Sequence, residues 1–90
     1  MPYSEIFDIV ALRSRQHAFH LNQLIRNEGI STQLISTPRE LSLGCGISIR
    51  FSPFVTQRVI SLYKKSMVDI IGFFHIEKSG STMRITRIPV

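Results

Sequence analysis

The stretch Ile47-Ser48-Ile49-Arg50-Phe51-Ser52-Pro53 predicts a strand that leads directly into a helix. Apolar and polar residues alternate over 47–51, which is typical of a strand with one face on a core and the other face outward. Ser52 followed by Pro53 indicates a helix start, because serine caps a first turn and proline is pre-organised for it. We expect the inward stripe of this helix to be Val55, Val59 and Leu62.

Another strand followed by a helix is predicted earlier in the chain. The segment 6–12 is short, apolar and rich in β-branched residues, so it predicts a largely buried first strand. Ser14 can cap a following helix, and Gly29 suits its end. The inward stripe of that helix is expected to be Ala18, Leu21 and Ile25. Segments 32–36 and 69–76 complete the pattern as the second and fourth strands.

The resulting order, β-α-β-β-α-β, predicts an α+β domain of the ferredoxin-like class. We expect a four-stranded antiparallel sheet with the first and third strands in the centre and both helices on one face. The predicted domain covers residues 1–78, and residues 79–90 form a C-terminal tail. Within that tail, 82–90 could add an edge strand, swap to a partner or stay mobile.

Composition sets the broad class of protein. Ninety residues with 43% hydrophobic and 19% charged side chains predict one globular domain. We expect no membrane span, since no apolar stretch approaches about 20 residues. The N-terminus has no basic region of a secretory signal, which favours the cytoplasm. The formal net charge is +5, but the eleven basic residues are spread along the chain, which favours a solvated cationic surface over a dedicated anion-binding patch.

The chain has one cysteine, Cys45, which lies between Gly44 and Gly46 in the predicted loop before the third strand. A thiol acts as a nucleophile in its thiolate form, and a cation within about 4–6 Å lowers its pKa by roughly 1–3 units. Arg39 is in the same loop and can fold back toward the sulfur, whereas the reach of Arg50 depends on how the loop curls. The two glycines could shape and expose an anion-binding backbone. The alternative is an inert loop thiol.

The run Thr37-Pro38-Arg39-Glu40-Leu41-Ser42, then Cys45-Gly46 and Arg50-Phe51, resembles the selenium/sulfur (Se/S) carrier-like family. The resemblance implies that Cys45 holds persulfide or perselenide sulfur or selenium, with Arg39 and Arg50 stabilising the anion. It implies a donor such as a cysteine desulfurase and an acceptor protein. A carrier of this kind fits better than an enzyme with its own turnover, and it requires no cofactor.

Two rival functions remain open at this point. A dimeric interaction or regulatory module with an incidental cysteine is one, since the first and fourth strands have apolar residues on both faces and could pack on a second copy. RNA binding is the other, because ferredoxin-like sheets stack bases on aromatic residues of the central strands. The outward positions of the third strand hold Ser48 and Arg50, which does not favour nucleic acid.

The histidines do not predict a metal site. His17 and His20 are three residues apart on the first predicted helix, and two ligands are fewer than a zinc site needs. His75 lies on the fourth predicted strand, where we expect it to be an ordinary sheet residue. A role as a general base for Cys45 would require the fold to bring one of these rings close to the thiol.

Overall fold

The computed structural model describes residues 4–41 and 46–90, which form an α+β fold with one antiparallel sheet and two helices. The strand order across the sheet is β2-β3-β1-β4-β5. No helix in the described ranges is long and apolar enough to span a membrane. The elements are β1 (Ser4–Leu12), α1 (Arg15–Asn27), β2 (Gln33–Ser36), β3 (Ile47–Phe51), α2 (Thr56–Ser66), β4 (Ile70–Ser79) and β5 (Thr82–Ile88).

The sheet has five strands, so the prediction of a four-stranded sheet was wrong. The additional strand is β5, which pairs antiparallel with β4 from Ser79↔Thr82 to Phe73↔Ile88. Gly80 makes the reversal possible, since its φ of +60° is in the left-handed region that glycine adopts without strain. Ile85 and Ile88 pack against opposite faces of the sheet, and this burial accounts for the tail adding an edge strand.

The ends of α1 follow the local signals in the sequence. The Ser14 side chain accepts a hydrogen bond from the backbone N–H of His17, and Gly29 has φ +79° just after the capping residue Glu28. The residues of α1 that are buried are the predicted stripe of Ala18, Leu21 and Ile25. Both ends and the inward face of this helix were therefore predicted correctly.

A short 3-10 turn, which the sequence did not predict, precedes the second helix. Ser52 caps a 3-10 turn, Pro53–Val55, by accepting a hydrogen bond from the Phe54 N–H at 3.1 Å. The α-helix proper starts at Thr56. Val59 is fully buried as expected, while Val55 and Leu62 are partly buried against the same core.

Apolar side chains form a separate cluster on each face of the sheet. The first cluster lies under the helices and takes residues from both of them, together with Val10 and Leu12 of β1. The second lies on the opposite face and consists of Phe7, Ile9, Ala11, Phe74 and Ile76. Alternate residues of β1 thus enter two different clusters, so this strand is buried on both sides.

A charged residue interrupts the apolar pattern of β1 on the helix side. Asp8 is 4% exposed, and its two carboxylate oxygens have separate partners. The Thr56 hydroxyl donates to Oδ2 at 2.5 Å, and His75 Nδ1 lies 2.6 Å from Oδ1. The carboxylate therefore connects β1 to the first residue of α2 and to β4, which compensates for its removal from water.

We expect Asp8→Ala to lower the free energy of unfolding by about 2–3 kcal/mol, because it leaves the Thr56 hydroxyl and the His75 ring without their acceptor. Denaturant titration followed by circular dichroism measures the change. Asp69→Ala, at an exposed carboxylate, is the matched control and should change stability by less than about 0.5 kcal/mol. Equal losses in the two variants would show that the Asp8 contacts contribute little.

Candidate functional site

The loop between β2 and β3 contains the cysteine predicted to carry the chemistry. Cys45 and Gly44 lie outside the described residues, whereas Arg39, Gly46 and Arg50 lie within them. The loop leaves the sheet at the end where β1 finishes and β4 begins, because Ser48 pairs with Ala11 and Leu12 pairs with Ile70. The connections into α1 and out of α2 lie at the same end.

Backbone and side-chain hydrogen bonds hold the two ends of this loop together. The Thr37 N–H donates to the Gly46 carbonyl at 2.8 Å, which extends the β2–β3 ladder by one step. The Thr37 and Ser48 hydroxyls are also in hydrogen-bond contact at 2.8 Å, and the Ser48 side chain is fully buried. The segment that contains Cys45 is therefore attached to the sheet through a fixed pair of residues on either side.

Gly46, directly after the cysteine, has a conformation that other residues adopt at a cost. Its φ is +77°, and a Cβ built there would meet no atom within 4 Å. The requirement for glycine is thus one of backbone conformation and not of space. A role for Gly46 in shaping the backbone around the thiol stays a prediction.

The first part of the loop is a 3-10 turn, Arg39–Leu41. The Leu41 N–H donates to the Pro38 carbonyl at 2.8 Å, and the Leu41 side chain packs against the second apolar cluster. Arg39 is exposed on this turn. Leu41 is the last described residue before the cysteine segment. Its packing attaches this part of the loop to the face of the sheet that lacks the helices.

Arg50 has two partners on that same face. Its Nη2 lies 2.9 Å from a carboxylate oxygen of Glu5, and its guanidinium carbon lies 3.9 Å from the centre of the Phe7 ring. Both partners are on β1, toward its N-terminal half. The sequence placed Arg50 on the outward face of β3, but it gave no indication of Glu5 or Phe7, which are more than 40 positions away in the chain.

The histidines lie in three different environments. The Nδ1 atom of His17 accepts a hydrogen bond from the Asp69 N–H at 3.1 Å, and His20 is exposed on α1. His75 contacts Asp8, a pairing that sequence reasoning missed; the signal for it was a lone carboxylate in an otherwise apolar strand. In residues 4–41 and 46–90, no group of three or more His, Cys, Asp or Glu side chains is placed to hold a metal ion.

Comparison with known families bears on the whole of this region. A family model described as "Putative Se/S carrier protein-like" matches residues 8–75, well over half of the chain and all of the β2–β3 loop. The chain belongs to this family. A search of curated proteins and a search of solved structures found no match. The resemblance that the run 37–42, Cys45-Gly46 and Arg50-Phe51 indicated is therefore confirmed at the level of the family.

We expect Gly46→Ala to lower the free energy of unfolding by about 1–2 kcal/mol, because a Cβ is unfavourable at this φ. Chemical denaturation measures the loss. Gly46→Asn is the matched variant and should lose less, since asparagine tolerates the left-handed region better than alanine does. A larger loss for asparagine than for alanine would mean that the backbone conformation at Gly46 is not what the glycine provides.

Proposed function

We propose that this protein is a sulfur or selenium carrier that holds the chalcogen on Cys45. The observation that carries the proposal is the family match over residues 8–75, which spans the loop with the only cysteine of the sequence. A single thiol suits this role, since a second thiol in the same chain could discharge the cargo as an internal disulfide. The anchored ends of the loop support it further, because Thr37, Gly46 and Ser48 attach both sides of the cysteine segment to the sheet.

The transfer step is a thiol exchange at sulfur. The Cys45 thiolate attacks the terminal sulfur of a donor persulfide, R–S–SH; the S–S bond of the donor breaks, a new S–S bond forms at Cys45, and R–S⁻ leaves. An acceptor thiolate then attacks the terminal sulfur on Cys45 and releases the Cys45 thiolate. The two steps involve no net oxidation or reduction of the carrier, and a selenium atom can take the place of the transferred sulfur.

The residues around Cys45 have separate parts in this proposal. Arg39, which is exposed on the turn before the cysteine segment, stabilises the anionic sulfur. Gly44 and Gly46 leave a path for the donor and acceptor to reach the thiol. A stabilising role for Arg50 would compete with its contacts to Glu5 and Phe7, so we assign the larger share to Arg39.

We further propose a ferredoxin-like assignment for the first four strands and a reducing compartment such as the cytoplasm. The observed order β2-β3-β1-β4 and the packing of both helices against one cluster support the assignment. A free thiol persists in a reducing compartment, where it would be available for exchange. The donor in this setting is a persulfide-forming protein such as a cysteine desulfurase.

The carrier proposal predicts a sulfur adduct on the intact protein. After incubation with a cysteine desulfurase and cysteine, or with inorganic polysulfide, mass spectrometry without reductant should show the added mass of one sulfur atom. Dithiothreitol should remove the adduct, and Cys45→Ser should not form it. Wild-type protein that takes up no sulfur from either donor would contradict the carrier and favour a non-catalytic, dimeric interaction module.

The role of Arg39 predicts a change in the reactivity of the thiol. Arg39→Gln should raise the pKa of Cys45 by roughly 1 unit, because it removes the nearby positive charge. The rate of alkylation by iodoacetamide, measured against pH, reports this pKa. Arg58→Gln makes the same change in charge on α2, near the opposite end of the sheet, and should leave the profile unchanged. Identical profiles for Arg39→Gln and wild type would exclude Arg39 as the stabilising cation.

A further inference from the structure

The face of the sheet opposite the helices, here called the second face, carries cations above its apolar cluster. Lys78 and Arg50 both lie over the Phe7 ring, with Nζ and the guanidinium carbon 5.7 and 3.9 Å from its centre. Arg87 lies over Phe74, with its guanidinium carbon 5.6 Å from the ring centre. The three charged groups thus lie above aromatic rings on this face.

The second face has a surplus of positive charge. The register of the described strands places one acidic side chain on it, Glu5, and that carboxylate is already paired with Arg50. Among the described residues, neither Lys78 nor Arg87 forms a salt bridge, although Glu5 is the cross-strand neighbour of Lys78. The half of the face formed by β4 and β5 therefore presents two cations, and these two strands contribute no acidic side chain to it.

The absence of a side chain at Gly72 leaves room for the Arg87 guanidinium to lie close to the sheet. A Cβ at Gly72 would lie 3.2 Å from the guanidinium carbon of Arg87 and 3.1 Å from the edge of the Phe74 ring. The guanidinium also donates to the Ile71 carbonyl at 3.3 Å. Gly72 thus allows Arg87 to lie across β4 instead of extending freely into solvent, which reduces the entropy that a partner would have to remove on binding.

Three kinds of occupant can be compared on charge and on access to the rings. A second copy of the chain would bring Lys78 and Arg87 toward like charges, which costs free energy at an interface. Single-stranded nucleic acid needs open aromatic faces for base stacking, but Phe7 and Phe74 are only 3% and 5% exposed. Carboxylates of an acidic polypeptide need the cations alone, and guanidinium and ammonium groups are well suited to bind them.

The second face is also connected to the cysteine loop. Leu41, the last described residue before the segment 42–45, packs against the same cluster that lies beneath the cations. On the other side of that segment, Ser48 is on the second face and contacts Thr37. Lys78 pairs with Glu5 toward the other end of β1, and Arg87 is on the edge strand β5, so a protein docked on these cations would reach the loop that contains Cys45 by extending along the second face.

We propose that Lys78 and Arg87 form a docking surface for an acidic segment of the protein that exchanges sulfur or selenium with Cys45. This inference rests on the proposed carrier function, since it assigns the surface to the exchange partner. The binding of the acidic segment and the loading of the thiol are separate events, and each can be measured without the other.

The test of docking is a titration of ¹⁵N-labelled protein with an oligo-glutamate peptide, followed by nuclear magnetic resonance. Shifts should be confined to β4, β5 and their neighbours on the second face, and they should weaken as salt is added. The double variant Lys78→Gln/Arg87→Gln should bind the peptide about fivefold more weakly. Lys64→Gln/Lys65→Gln removes the same charge from the end of α2 and should bind within about twofold of wild type.

Several results would overturn the docking surface. These are the absence of peptide binding, equal weakening in the two double variants, or tighter binding of oligo-uridylate than of oligo-glutamate at the same face. Gly72→Ala provides a second variant that keeps the charge, and we expect it to weaken peptide binding because its Cβ displaces Arg87. If Gly72→Ala binds the peptide as well as wild type, the placement of Arg87 has no part in docking.

The loading of Cys45 separates failure of this surface from failure of the carrier function. The double variant Lys78→Gln/Arg87→Gln should take up sulfur from inorganic polysulfide to the same extent as wild type, since polysulfide needs no docking surface. Loss of loading in both proteins would contradict the carrier, whatever the peptide titration shows. Normal loading of Cys45, together with equal weakening of peptide binding in the two double variants, would overturn only the docking surface.

Discussion

The burial of β1 on both of its faces is the constraint from which the rest of this structure follows. Val10 and Leu12 require cover on one side, and Phe7, Ile9 and Ala11 require it on the other. Two amphipathic helices satisfy the first requirement. On the second face, the described residues that help to satisfy it include partly buried apolar side chains, Leu41 of the cysteine loop among them, and three cations above the Phe7 and Phe74 rings. The need to bury apolar surface thus connects the loop and the charged side chains to the sheet.

Local signals in the sequence accounted for most of the fold. Ser14, Gly29 and the alternation over 47–51 each act within a few residues, so they could be interpreted without knowledge of the tertiary structure. For the fifth strand, the sequence left three alternatives open, because its pairing with β4 depends on the turn at Gly80 and on clusters formed by distant residues. The position of the candidate site in a loop between strands was predicted for the same local reasons.

The contacts that the sequence could not predict are those between distant positions. Asp8 meets Thr56 and His75 across separations of 48 and 67 residues, and Arg50 meets Glu5 across 45. A lone carboxylate in an apolar strand of the sequence indicates that the carboxylate has a partner in the fold, but it does not identify the partner residue. The two arginines of the predicted site illustrate the same point. The sequence left open whether Arg50 reaches the cysteine, whereas the structure shows Arg39 exposed on the turn before the cysteine segment and Arg50 paired with Glu5 on β1.

The central claim is that Cys45 passes a chalcogen on, and a two-step mass measurement tests it most directly. The protein is loaded with sulfur, freed of donor and then mixed with an acceptor protein that has one accessible thiol. The account predicts that the sulfur leaves Cys45 and appears on the acceptor thiol in equal amount, with the carrier returning to its unmodified mass. A sulfur that stays on Cys45, or that leaves without appearing on the acceptor, would contradict the carrier function.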